Sequence, residues 1–143
     1  MALPTISKIL KDASEIKGRQ DRIQFLKTHH PNQLLKLLLQ YVYDPNIKFD
    51  LPPGAPPYKE TEALDQSGRL YQEMRRLYLF LEGGNPNLHA IRRETLFIQL
   101  LESIDPEDAK LMCAIKDKKM PYKGITEKLV REAFPQLLPE KSK

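Results

Sequence analysis

The chain has 143 residues, 41% hydrophobic and 29% charged, with a formal charge of +4. That size holds one domain, residues 1–143, around a single core, and the composition excludes a fibrous or disordered chain. A lone cysteine excludes an internal disulfide, and no apolar run approaches the roughly 20 residues that span a bilayer.

The opening Met1-Ala-Leu-Pro-Thr-Ile-Ser-Lys8 lacks the charged-then-apolar layout of a signal peptide, so the expectation is a cytoplasmic protein with no membrane partner. Ile6, Ile9, Leu10, Ala13 and Ile16 recur at helical spacing, which predicts a first helix over 5–15, broken by Gly18. Ile23, Phe25 and Leu26 predict a second helix ending near His29 and His30. Pro31 then reads as the first-turn proline of a third helix over 31–43, apolar nearly all round and so central to the core.

Residues 44–58 hold five prolines and cannot be helical. Ile47, Phe49 and Leu51 alternate, so residues 44–59 read as an extended arm pinned to the helical body. Its apolar, polyproline-like stretch over 44–58 is also a candidate docking segment for a protein partner.

Leu70, Tyr71, Met74, Leu77, Tyr78, Phe80 and Leu81 predict one long helix over 67–82, stopped by Gly83-Gly84. Another helix starts at Pro86 or Asn87 and ends at Ser103-Ile-Asp-Pro. Asp105, Pro106, Glu107 and Asp108 supply a cap, a first-turn proline and an acidic first turn for the next, through Ile115. A last short helix holds Ile125, Leu129, Val130 and Phe134, and residues 138–143 read as a short basic tail. The fold class expected is all-α, a compact bundle of six to eight short helices with a proline-rich arm.

No catalytic constellation is present. His29, His30 and His89 are not spaced to converge on a metal, Cys113 lies on the apolar side of its helix, and Gly83-Gly84-Asn85-Pro86-Asn87 has no P-loop lysine. These residues read as capping or surface histidines, a buried structural thiol and a helix-terminating turn. The tyrosines fall mostly in core register, except Tyr122.

Tyr122 sits in a basic stretch, "AIKDKKMPYKGITEKLVR", residues 114–131. Gly124 permits close backbone approach, Thr126 is a natural cap for the following helix, and the N–H groups of that helix start can face an anion. Lys116, Lys118, Lys119 and Lys123 surround the same place with positive charge. Together they predict a clamp on a phosphate backbone, which positions nucleic acid without reading its sequence. A solvated, charged loop is the plainer alternative.

Two stretches resemble a known family. "ISKILKDASEIKGRQDRIQFLKTHHPNQLLKLLLQYVYDPNIKF", residues 6–49, is similar to the opening helices of the N-terminal DNA-binding domain of ATP-dependent DNA ligases, notably those of T-even-type phages. "AKLMCAIKDKKMPYKGITEKLVREAFPQLLPE", residues 109–140, resembles that domain's last helical hairpin and its exit. The lysine turn is about two residues longer than the family pattern, and Pro121 is a departure from it.

The resemblance implies an all-α domain that grips duplex DNA, nicked or intact, by backbone and minor-groove contacts. Lys123, Gly124, Ile125 and Thr126 match its glycine turn and last helix start, Lys118, Lys119 and Tyr122 fall in its basic loop, and Asn85 and Asn87 fall in an earlier helix-to-helix turn. The nucleotidyltransferase motif Lys-x-Asp-Gly does not occur. The expectation is therefore a small stand-alone phage protein in the host cytoplasm, non-enzymatic and without a cofactor. The alternative function is a phage protein-interaction or virion module that kept the helices without DNA binding.

Overall fold

The computed structural model describes residues 4–61 and 68–139, and among them the regular structure is helical. The elements are α1 (Ile6–Glu15), α2 (Arg19–Thr28), α3 (Gln33–Tyr43), α4 (Arg69–Glu73), a 3₁₀ helix (Met74–Phe80), α5 (Ala90–Ser103), α6 (Pro106–Lys116) and α7 (Glu127–Ala133). The fold is all-α, and none of these helices is long and apolar enough to cross a membrane.

Side-chain caps set most helix starts. Thr5 accepts from Lys8 N–H, Asn32 from Leu35 N–H, Asp105 from Glu107 and Asp108 N–H, and Thr126 from Leu129 N–H. The capping residue of α3 is thus Asn32, and Pro31 lies outside the helix rather than in its first turn. His89 takes the capping position of α5 through Nδ1, which delays that helix beyond the expected start at Pro86 or Asn87.

Leucines of α3 are buried on most sides, as its composition required, but the hub is α6, which packs against α1, α3 and α5. Seven residues of α6 are buried, including Asp108, Lys116 and Cys113. Burial also pushes the Cys113 thiol above its ordinary pKa, as expected of a structural cysteine. The last helix, α7, rests mainly on α2.

The segment expected as one long helix is α4 followed by the 3₁₀ helix; the predicted start, Ser67, lies outside the described residues. A 3₁₀ helix aligns side chains three apart, and Met74, Leu77 and Phe80 have that spacing on the ridge that meets the core. The helix ends at Phe80, because Leu81 turns extended and pairs with Phe49 of the arm in an isolated antiparallel bridge. Asp50 N–H donates to Phe80 C=O (2.8 Å) and Glu82 N–H to Lys48 C=O (2.8 Å). The next turn needs glycine at Gly84, where a Cβ would stand 2.0 Å from the Tyr78 carbonyl oxygen.

Buried Phe49 and half-buried Ile47, Leu51 and Tyr58 pin the arm to the helices. A buried arginine absent from the sequence reading reinforces it. Arg93 of α5 donates to the carbonyls of Leu79 (3.3 Å) and Leu88 (2.9 Å) and pairs with Asp50 of the arm (3.1 Å). At the other end, the first two residues of the expected tail, Leu138 and Pro139, belong to the packed fold. Leu138 is buried, and Arg131 Nη1 donates to the Pro139 carbonyl (2.7 Å), while residues 140–143 lie outside the described ones.

Candidate functional site

The helix–turn–helix expected around the lysines is present as α6, residues 117–126 and α7. Within it the four lysines divide into two pairs with opposite roles.

Lys116 and Lys118 face inward, which corrects their assignment to a phosphate clamp. Lys116 ends α6, and its buried ammonium donates to the Pro52 carbonyl (2.7 Å) and to Asp117 Oδ1 (2.7 Å). The Asp117 carboxylate in turn accepts from Gly54 N–H at 3.1 Å. This adjacent pair therefore fastens the proline-rich arm to the end of α6. Leaving either charge unpaired in that setting would be costly, so the chain has satisfied both internally.

Lys118 has a left-handed backbone, φ 61°. Its N–H bonds to Ile115 C=O (2.8 Å) and Lys119 N–H bonds to Ala114 C=O (2.9 Å), the two bonds of a Schellman C-cap, which ordinarily has glycine at this position. The reason for lysine is at the far end of the side chain. Its Nζ donates to the carbonyls of Tyr41, Asp44 (2.8 Å) and Ile47 (2.7 Å), closing the C-terminus of α3 and the start of the arm. Burial holds its pKa below the ordinary lysine value, against the pull of the Asp44 charge.

Lys119 and Lys123, by contrast, are exposed on the connection between the helices. Pro121 between them is exposed and Tyr122 is half-buried against the core. Burial, then the charges of Glu107 and Asp108, raise its phenol pKa. Its ring is thus partly engaged in packing against the core.

Gly124 has φ +86°, and a Cβ there would meet Arg22 Nη1 at 2.8 Å. The close approach inferred from this glycine is therefore made by an internal arginine. Arg22 donates to the carbonyls of Ala13 (3.0 Å) and Ile16 (2.8 Å) at the end of α1, and to that of Gly124 (3.5 Å). Gly124→Ala is expected to destabilise the fold by about 2 kcal/mol, combining left-handed strain with a displaced guanidinium. Thermal melts check this; an unchanged Tm would return Gly124 to a role in ligand approach.

Ile125 is buried, and its carbonyl accepts from the Tyr43 phenol, which burial and then the Glu127 charge push up to about 12. Thr126 caps α7, as its position in the sequence indicated. Asn85 Oδ1 accepts from Asn87 N–H (3.0 Å), so both residues form their own turn, away from the hairpin in sequence.

Beside Lys123 lies a cleft of about 760 Å³, lined by the cap Thr5, by Ser7, Lys8, Lys11 and Ser14 of α1, and by Tyr122. Asp12, Glu15, Asp105 and Glu107 also line it, so the basic residues there are interleaved with acidic ones. Lys8 is already paired with Asp12 at 3.5 Å. Among the described residues no group of His, Cys, Asp and Glu is arranged to hold a metal ion.

What the hairpin offers chemically is two exposed ammonium groups, without a hydrogen-bond or ion-pair partner among the described residues, on a connection held by Arg22, Lys118 and the Thr126 cap. That arrangement can meet phosphate oxygens. No curated protein is significantly similar to the chain. A family model described as a family of unknown function, DUF6433, matches residues 9–122, from within α1 to Tyr122 in the hairpin connection; with about four fifths of its length matched, the chain belongs to that family.

Proposed function

We propose that the protein is a non-enzymatic, largely sequence-independent binder of duplex DNA, nicked or intact, that contacts the phosphate backbone and minor groove with the α6–α7 connection. The observation that carries this reading is the exposure of Lys119 and Lys123 on a connection whose backbone is held from inside. The resemblance of the element order to a ligase DNA-binding domain supports it, with the contact set reduced from the expected one. Lys116 and Lys118 belong to the scaffold, and Gly124, Ile125 and Thr126 shape the loop.

Fluorescence anisotropy with nicked duplex, intact duplex and single-stranded DNA across a salt series tests the proposal. Lys119→Glu with Lys123→Glu should weaken duplex binding and flatten the log–log salt dependence by about 1.8, since each phosphate contact contributes about 0.9. An unchanged slope would remove the hairpin from the interface.

A second reading, a protein-interaction module on the same scaffold, is favoured by the inward turn of Lys116 and Lys118, which leaves the hairpin less basic than its sequence. No duplex binding at low salt would select it. In that case the arm is a poor docking segment as it stands, because its backbone is already held by Asp117, Lys116 and Phe80.

A further inference from the structure

The 3₁₀ helix and α5 leave between them a groove of about 430 Å³, separate from the lysine hairpin and sharing no residue with it. Three residues per turn give the 3₁₀ helix three ridges. Met74, Leu77 and Phe80 pack inward, which puts Arg75 beside Tyr78 on a second ridge and Arg76 beside Leu79 on a third. Tyr78 is 49% exposed, although most large apolar side chains of the chain are buried.

The floor is apolar: half-buried Leu79 on one side and Leu96 of α5 on the other face the groove, over buried Leu77, Phe80 and Leu100. The rim is cationic. Arg69, Arg75 and Arg76 line it against a single acid, Glu73, which pairs with Arg69 at 3.2 Å and reaches Arg76 only at 3.9 Å. Among the described residues Arg75 has no ion-pair partner.

We propose that this groove docks an amphipathic helical segment of a partner protein, with its aliphatic side chains on the leucine floor and its carboxylates on Arg75 and Arg76. Three features select this occupant. A trough between two helical rods is the shape that receives a third helix through anchors spaced three and four apart. Guanidinium groups bind carboxylates in a planar, bidentate fashion, and tyrosine and arginine are the side chains that concentrate binding energy at interfaces. A nucleic-acid strand fits less well, because bases need exposed π faces to stack on, and of the two aromatic rings among the lining residues Phe80 is buried and only Tyr78 is exposed.

The test uses a fluorescein-labelled synthetic peptide of about 20 residues, above the length at which isolated helices are marginal, with Leu at the i, i+3, i+7 positions and Glu alongside. The full chain should bind it and shift the NMR amide signals of the groove. Arg75→Glu with Arg76→Glu should weaken binding by at least tenfold, and Tyr78→Ala by several-fold. These side chains are on the surface, so the far-ultraviolet circular dichroism should be unchanged. A control peptide with Lys in place of Glu should fail to bind, and Lys119→Glu with Lys123→Glu should leave peptide affinity as it was. Equal affinity of the arginine variant would overturn the proposal. So would the absence of groove shifts at millimolar peptide, or tighter binding of a single-stranded oligonucleotide that competes for the same amides.

Discussion

Lys118→Met is expected to lower the free energy of unfolding by about 3 kcal/mol, a large effect for a partly exposed lysine. The expectation follows from what the ammonium does: it donates to the carbonyls of Tyr41, Asp44 and Ile47, where α3 ends and the arm begins. Hydrogen bonds to a charged donor are each worth about 1.5–3 kcal/mol, and the carbonyls left behind can recover only part of this from water. The left-handed backbone supplies an internal control. Lys118→Gly also loses the ammonium but relieves about 1 kcal/mol of backbone strain, so it should be more stable than Lys118→Ala by that amount. Urea unfolding of the three variants at neutral pH measures both quantities. A loss below about 0.5 kcal/mol for methionine would mean that the ammonium is solvated and available to a ligand.

The second large effect is a pH dependence centred on Asp108, in the first turn of α6. Its side chain is fully buried, and Oδ1 accepts from Ser7 N–H (3.0 Å) in the first turn of α1. Among the described residues Oδ2 has no hydrogen-bond partner. Burial raises the carboxyl pKa from 3.8 to about 6; the bonds from Ser7 oppose that rise, and the charges of Asp105 and Glu107 add to it.

The sign follows from proton uptake. Between about pH 4 and 6 the folded chain holds a proton at Asp108 that the unfolded chain has released, so stability falls as pH rises through that window. At about 1.4 kcal/mol per unit, the total is on the order of 3 kcal/mol, and it is lost in full above about pH 6. Asp108→Asn keeps an acceptor for Ser7 and cannot ionise. Its stability, compared with the native chain from pH 4 to 7, should lack this decline, and the gap between the two curves should move in favour of the variant as pH rises. Parallel curves would show that Asp108 does not carry the dependence.

Much of the fold was legible because it rests on local rules. The caps Thr5, Asp105 and Thr126, the break at Gly18, and the periodic leucines of α3 act within a few residues of chain. The arm was legible for the same reason: prolines exclude a helix, while Ile47, Phe49 and Leu51 give it something to anchor. The 3₁₀ helix was missed because apolar residues at three- and four-residue spacing suit an α-helix equally well. Only the pairing of Leu81 with Phe49, far away in sequence, decides where the helix stops.

The candidate site was legible in outline only. A cluster of lysines in sequence specifies charge, but not the direction in which each long side chain runs. Lys116 and Lys118 turn inward because carbonyls of Pro52, Tyr41, Asp44 and Ile47 await a donor there, 64 to 77 residues away along the chain. Lys119 and Lys123 meet no such acceptors among the described residues and are exposed. Gly124 was singled out rightly as a close approach, yet the group that approaches it is Arg22 from α2, which carried no signal of its own. Arg75 and Tyr78 gave none either, since in an α-helix they read as ordinary amphipathic residues.

By itself, then, the sequence determined the helical class, most helix boundaries and the non-helical arm, through capping chemistry, proline stereochemistry and apolar period. Tertiary structure alone decided which polar groups are spent on the fold and which face outward. That choice depends on which unsatisfied carbonyl or carboxylate each charge meets once distant segments have packed, and a buried charge without a partner costs more than any local preference can return.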